Sequence, residues 1–239
     1  MLLRLPTSLS EARECVAEGA VPIGGATLVW ATFQRDGFPE QAVSLRHLPE
    51  ATAIEPDALG SAVRLHQIDD RVPEVLRAAA ATVGTGAVRR TATVGGNLVG
   101  STLRCLLPAA LVLDARATVL EQAGVYETDL AEVVEKRQLL LSIRWRVPLV
   151  SGYHKALAAA GGPPPLVVAS AVHAEGGGPH LRVAVRDGYD VLRATVPCGT
   201  GADPVLDALE RSDLAALPTG ARDAVRAHVS DVLARVDDR

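Results

Sequence analysis

Arg90-Thr91-Ala92-Thr93-Val94-Gly95-Gly96-Asn97-Leu98-Val99-Gly100 joins a short β-prone run, Ala92 to Val94, to two glycines, an amide and a second apolar run. Adjacent glycines give a backbone access to positive φ and let another group come close to the bare chain. Consecutive N–H groups in such a turn converge into an anion-binding nest. Ala20-Val21-Pro22-Ile23-Gly24-Gly25-Ala26-Thr27-Leu28 repeats the plan earlier in the chain: apolar strand, Gly-Gly, small residues, apolar continuation. Two strand-Gly-Gly turns predict two loops gripping one phosphate-bearing ligand.

Working outward, Ser8-Leu9-Ser10-Glu11 is a capping-box pattern, and Leu9, Ala12, Cys15 and Val16 continue it at helical spacing up to Gly19. Val21 to Ile23 and Gln41 to Leu45 read as strands, with Trp30 and Phe33 expected to cover the core of this first part. Pro56-Asp57 divides the apolar runs Ala51 to Glu55 and Leu59 to Leu65. A helix is expected over Ile68 to Val83 with Pro73 in its first turn, and a short one over Leu106 to Leu113. Ala115 to Glu121 and Leu139 to Arg146 alternate as strands, the second half-buried with Trp145 in the core. Leu166 to Ala174 and Leu181 to Val185 flank Gly176-Gly177-Gly178 as a hairpin, and Tyr189 to Val196 offers a third antiparallel strand. Asp203 to Leu209 and Ala221 to Val236 are amphipathic helices, followed by an acidic Asp237-Asp238 tail.

Composition narrows the function classes. Net charge is −4 with no basic block, which argues against nucleic acid as a partner. No apolar run reaches the ~18 residues of a membrane helix, and Met1-Leu2-Leu3-Arg4-Leu5-Pro6 is too short and ill-flanked for a signal peptide, so a cytoplasmic protein is expected. Cys15, Cys105 and Cys198 lie far apart without CxxC spacing, and Cys105 reads as a buried, inert thiol. The six histidines show no metal-ligand spacing, although His154 beside Tyr153 merits notice. Only two lysines, Lys136 and Lys155, stand among 24 basic residues, a usage expected of a bacterial genome rich in G and C.

Val88-Arg89-Arg90-Thr91-Ala92-Thr93-Val94-Gly95-Gly96-Asn97 resembles the VRN-x-AT-[IV]-GGN signature of the FAD-binding medium subunits of molybdenum hydroxylases, the carbon monoxide dehydrogenase and xanthine dehydrogenase type. Ile23-Gly24-Gly25-Ala26-Thr27-Leu28 sits where that family has an AGGTDL-like loop. Leu59 to Leu65 is similar to its IGAxxTL strand, Leu111 to Ala117 to its LLALDARV run, and Tyr153-His154-Lys155 to the aromatic-x-Lys that opens its C-terminal domain. These matches occur in the family's order and span most of the chain.

The resemblance implies an α+β protein: a two-part PCMH-type FAD-binding domain, residues 1–50 and 51–146, then a small α+β domain over 147–239 with an antiparallel sheet plus helices. It implies FAD as cofactor, with Ile23, Gly24, Gly25, Ala26, Thr27 and Leu28 on one side of the pyrophosphate and Thr93, Gly95, Gly96 and Asn97 on the other. Ser101, Tyr153 and Lys155 are further cofactor contacts on this reading. It implies an oxidoreductase subunit that takes electrons from an iron–sulfur partner and passes them through FAD to NAD or oxygen, beside a molybdopterin subunit. Two alternatives stay open: a free-standing flavoenzyme acting on a small-molecule substrate, and a member that has lost flavin and serves as a scaffold.

The chain also departs from the pattern. After the GGN, relatives carry an ASPxxD-like stretch, whereas Leu98 to Leu107 has no acid and places Arg104 near the acid's expected position. Arg64 stands where a Thr is common. The KxxxRxxxD pattern after the aromatic residue lacks both its Arg and its Asp, and the segment between Gly124 and Leu139 is shorter than in relatives.

Overall fold

A computed structural model describes residues 1–157, 161–199 and 201–237, with only the backbone at 237; Asp238 of the acidic tail lies outside the described residues. The architecture is α+β. The chain forms two compact units, one of residues 1–72, 83–106 and 115–145, the other of residues 73–82, 107–114 and 146–239.

The first unit carries two sheets. Leu2–Arg4, Gln41–Val43 and Val21–Pro22 form a parallel sheet with Gln41–Val43 in the middle. Parallel strands of one sheet need a crossover, and the helix Leu9–Ala17 is the connection between the two outer strands, Leu2–Arg4 and Val21–Pro22. Its N-cap is Ser8, whose Oγ accepts the Glu11 N–H at 3.3 Å, while the Glu11 carboxylate reaches back to the Thr7 N–H at 2.7 Å. The box therefore closes one residue earlier than the sequence spacing implies. Ala12 and Cys15 on this helix pack with Val43, Leu45, Leu48 and Ala51 and with Leu120 and Leu141 of the second sheet.

That second sheet is antiparallel, in the order Ile54–Glu55, Ala58–Gly60, Leu139–Arg144, Arg116–Glu121, Gly124–Asp129. A register shift at Thr118/Val119 interrupts the alternation expected of Leu139–Arg144, so the successive residues Leu140 and Leu141 are both buried. Trp145 is in the core, as expected, with its indole N–H on the Pro56 carbonyl at 3.1 Å. The shortened stretch after Gly124 is fully ordered as strand Gly124–Asp129 and helix Leu130–Lys136. Asp129 caps that helix through the Ala131 N–H, and Arg137 ends it at φ 53°.

One expectation fails here. Helix Val29–Asp36 has no buried residue, and Trp30 is 49% exposed. Trp30 and Phe33 do not cover the core; both rings pack on Phe38 at the surface, with centroids 5.3 and 5.9 Å away. The Ala, Val and Leu residues of Leu9–Ala17 and the adjoining strands already fill the space beneath the parallel sheet.

The second unit is built on a four-stranded antiparallel sheet in the order Asp190–Pro197, Gly178–Asp187, Val167–Glu175, Val150–Lys155. The glycine hairpin and the third strand are as expected, and Val150–Lys155 is a fourth edge strand. Residues Val167 to His173 are all buried because the sheet is covered on both faces. Val168 and Val172 point into a core shared with helices Ala202–Glu210 and Thr219–Asp237. His173, on the opposite face, bonds the Val112 carbonyl at 2.8 Å in helix Leu107–Val112.

Candidate functional site: two interlocked glycine turns

The two Gly-Gly turns of the first unit touch each other. A Cβ placed on Gly25 would lie 1.8 Å from the Thr91 carbonyl oxygen and 2.9 Å from the Ala92 nitrogen. One placed on Gly24 would lie 2.3 Å from Thr93 Oγ1. The closeness that glycine permits is thus taken up by the other turn. None of Gly24, Gly25, Gly95 and Gly96 has positive φ; the left-handed residue of the first turn is Ala26, at φ 55°. That corrects the reading of these glycines as positive-φ positions: they are here because a side chain would separate the turns.

The second turn is braced from behind. Leu65 donates its N–H to the Ala92 carbonyl at 3.0 Å, Val94 to Val63 at 3.0 Å and Gly95 to Ser61 at 2.8 Å. Thr93 pairs with Arg64 as an isolated antiparallel bridge, so the β-prone run Ala92 to Val94 is a single bridge and no regular strand. The chain leaves it as one wide helical turn, Gly96–Gly100. Buried Thr93 starts that turn, taking the Gly96 N–H on Oγ1 at 3.2 Å and the Asn97 N–H on its carbonyl at 2.9 Å. Four successive N–H groups, Val94 to Asn97, are thereby satisfied within the protein.

The first turn contrasts with it. Among the described residues, the N–H groups of Gly24, Gly25, Ala26 and Thr27 have no protein acceptor, while Ile23 is tied back to Val43 at 2.9 Å and Ala26 accepts from Trp30 at 3.1 Å. The turn is therefore fixed at both ends and carries four donors between them. Consecutive unsatisfied N–H groups are the chemistry of a phosphate cradle. The residues present fit a diphosphate: neutral donors on one wall, and a second wall that fixes the first.

The other expected site residues lie as follows. Asn97 is buried and spends its Oδ1 on the Leu106 N–H at 2.9 Å, which ties segment 101–106 to the second turn. Ser101, also buried, accepts the Leu103 N–H at 3.2 Å. Leu28 and Thr27 are exposed beside the first turn. Tyr153 and Lys155 belong to the second unit, where both hold the end of helix Glu74–Ala81. The Tyr153 hydroxyl meets Thr82 Oγ1 at 3.2 Å, and Lys155 Nζ donates to the Thr82 carbonyl at 2.8 Å. His154 is exposed, and Cys105 is buried. Among the described residues, no group of three or more His, Cys, Asp or Glu is placed to hold a metal ion, and no helix is long and apolar enough to cross a membrane.

Sequence reasoning missed the bracing residues Ser61 and Val63, which act through backbone carbonyls and leave no side-chain signature. It also missed helix Gly86–Thr91, capped by Thr85, which delivers the Thr91 carbonyl against Gly25.

Residues 3–142 match the family model described as the FAD binding domain in molybdopterin dehydrogenase. The comparison with curated proteins gives no significant match. Among solved structures, the chain is similar to one of reconstituted CO dehydrogenase from Oligotropha carboxidovorans, with 19% identity, TM-score 0.78, and coverage of 100% of this chain and 98% of that one. It is similar to a structure of quinoline 2-oxidoreductase from Pseudomonas putida 86, with 20% identity, TM-score 0.70, and coverage of 100% and 97%. It is also similar to carbon monoxide dehydrogenase from Hydrogenophaga pseudoflava lacking the Mo-pyranopterin moiety, with 15% identity, TM-score 0.76, and coverage of 100% and 97%.

Proposed function

The chain belongs to the family of FAD-binding domains of molybdopterin dehydrogenases, and from that premise we propose that it is the electron-carrying flavoprotein of a multisubunit oxidoreductase. FAD is its cofactor. In our reading an iron–sulfur subunit delivers electrons, a molybdopterin subunit oxidises the small-molecule substrate, and NAD or oxygen is the acceptor. The FAD-binding region is residues 1–50 and 51–146, residues 147–239 form the C-terminal part, and the complex works in the cytoplasm.

The observation that carries this reading is the row of four N–H donors, Gly24 to Thr27, held open by the second turn. A diphosphate has several oxygen acceptors and needs several converging donors. Gly24, Gly25, Ala26 and Thr27 donate to it. Thr93, with Thr91 and Ala92, sets the position of that wall, Gly95 and Gly96 let the second turn close on Ser61 and Thr93, and the Asn97 and Ser101 bonds hold the following segment in place. When bound, FAD supplies the redox chemistry at its isoalloxazine, while the protein supplies position and electrostatics.

The test is the spectrum of the protein as purified, then titration of cofactor-free protein with FAD. Flavin bands near ~370 and ~450 nm and one bound FAD per chain are expected. Protein that carries no flavin and binds none added refutes the reading. Anaerobic reduction followed by NAD or oxygen identifies the acceptor: if neither reoxidises the flavin, the electron-transfer assignment fails.

A further inference from the structure

We propose that Arg104 is a cofactor-binding side chain, placing its guanidinium on the FAD diphosphate from the side of the second turn; the proposal rests on the FAD reading above. Among the described residues, four that are not glycine have positive φ: Ala26, Arg104, Asp114 and Arg137. A side chain in that region is strained and persists where surrounding structure or function compels it. Two have local reasons. Arg137 terminates helix Leu130–Lys136, and Asp114 pairs with Arg182 at 2.8 Å. The remaining two are Ala26, in the donor row, and Arg104, at φ 41°.

Among the described arginines with a buried Nε, Arg104 stands apart in its partners. Arg104, Arg182 and Arg186 each have a buried Nε without a hydrogen bond. Arg182 uses its terminal nitrogens on Asp114 and Glu175, and Arg186 donates to the Pro165 carbonyl. Among the described residues, Arg104 Nε is buried without a hydrogen bond and its terminal nitrogens make no hydrogen bond or ion pair with the protein. A half-buried cation with an orphaned donor has lost water contacts without gaining an anion.

Its place in the chain sets it beside the second turn, and the anion assigned to it by the proposal is the diphosphate. Segment 101–106 is held to the second turn by the Asn97–Leu106 bond and shaped by the Ser101–Leu103 bond, and Arg104 lies between Leu103 and Leu106. The N–H groups of Val94 to Asn97 are spent, so the second wall offers no backbone donor there. The first wall offers neutral donors only. A guanidinium completes the set with charge and two parallel N–H bonds, the geometry that matches phosphate oxygens.

The experiment measures binding of FAD directly, and of ADP by competition, to the full chain at two salt concentrations. The variants are Arg104→Gln, Arg104→Lys and Arg104→Gly, with Arg144→Gln, an exposed strand-end arginine, as the control for lost charge. Arg104→Gly suits the left-handed backbone, so thermal unfolding at or above the wild-type midpoint separates lost binding from lost folding. Arg104→Gln and Arg104→Gly are expected to weaken FAD and ADP alike, roughly 10- to 100-fold. Both should flatten the salt dependence; Arg104→Lys should fall between, and Arg144→Gln should bind as wild type. Wild-type affinity in Arg104→Gln or Arg104→Gly overturns the proposal while leaving the FAD reading intact. So does a loss for FAD with none for ADP, which moves Arg104 to the flavin ring, and so does wild-type protein that binds FAD with no competition from ADP. Wild-type protein that binds neither refutes the FAD reading itself, and the role of Arg104 with it.

Discussion

Replacing Gly25 by alanine tests whether the two turns are one object. The added methyl would sit 1.8 Å from the Thr91 carbonyl oxygen, 2.5 Å from the Thr91 carbonyl carbon and 2.9 Å from the Ala92 nitrogen. An ordinary contact needs about 3.5 Å, so the turns must separate by more than an ångström. All three atoms are backbone, so no side chain is there to swing aside. The Thr91–Ala92 backbone is fixed on its other side by the Leu65, Val94 and Gly95 hydrogen bonds. Overpacking of this kind costs about 1–3 kcal/mol, and breaking one brace adds about 1 kcal/mol. A loss of about 2–4 kcal/mol lowers the melting temperature of a chain this size by roughly 5–15 °C. FAD affinity should fall with it, because the donor row moves. Urea or thermal unfolding and flavin titration give both numbers. The control series is internal. Gly24→Ala meets Thr93 Oγ1 at 2.3 Å, Gly96→Ala meets the same atom at 3.1 Å, and Gly100→Ala meets nothing within 4 Å. Damage should follow that order behind Gly25→Ala, and Thr93→Ala should partly rescue Gly24→Ala in a double-mutant cycle. If Gly25→Ala melts and binds like Gly100→Ala, the interlock is refuted.

Three further outcomes are expected. The pKa of His228, bonded to Ser170 at 2.9 Å, is pushed from 6.5 down to about 4 by burial, with neighbouring His154 and Arg235 adding to it and Asp231 opposing it. Burial also pushes the His173 pKa down. The folded protein takes these protons less readily than the unfolded chain, so stability is full above pH ~6.5 and drops by up to ~3 kcal/mol for His228 as pH falls toward ~4. Urea midpoints across that range should show the decline, and His228→Gln should flatten it. Asn97→Ala removes the acceptor of the Leu106 N–H; a loss of about 1–3 kcal/mol is expected by urea unfolding, together with weaker FAD binding. Trp30→Ala, at a residue 49% exposed, should cost less than about 1 kcal/mol in the same assay.

Much of the fold was legible in the sequence wherever pattern and packing agree. Leu9–Ala17, the glycine hairpin at Gly176 to Gly178 and the closing helices were recognisable because capping residues, turn chemistry and apolar spacing point the same way. Trp30 was misleading because aromatic character indicates burial on average, and this helix has aliphatic neighbours that fill the core without it. Leu140 was misleading because Leu141 is an extra residue bulged out of register with Thr118 and Val119, which shifts the alternation, and nothing in the local sequence marks the bulge. At the candidate site, the glycines were recognisable as positions that exclude a side chain. What they exclude it from was not: the Thr91 carbonyl is brought there by tertiary structure. The division between a turn whose donors are spent and one whose donors are free is likewise a matter of backbone pairing, to which side-chain identity at Ser61 and Val63 contributes nothing readable.

That division bears on the order of assembly. Thr93, Ser61 and Val63 satisfy the Val94 to Asn97 amides without outside help. This half of the candidate site is complete once the surrounding backbone is paired. Among the described residues, the amides of residues 24 to 27 find no protein acceptor. On the reading proposed above, the cofactor would be the last partner of the first unit, and FAD should raise the thermal midpoint of the chain in step with its affinity. Loading would then close a seam along the first turn, whose neighbour is already paired.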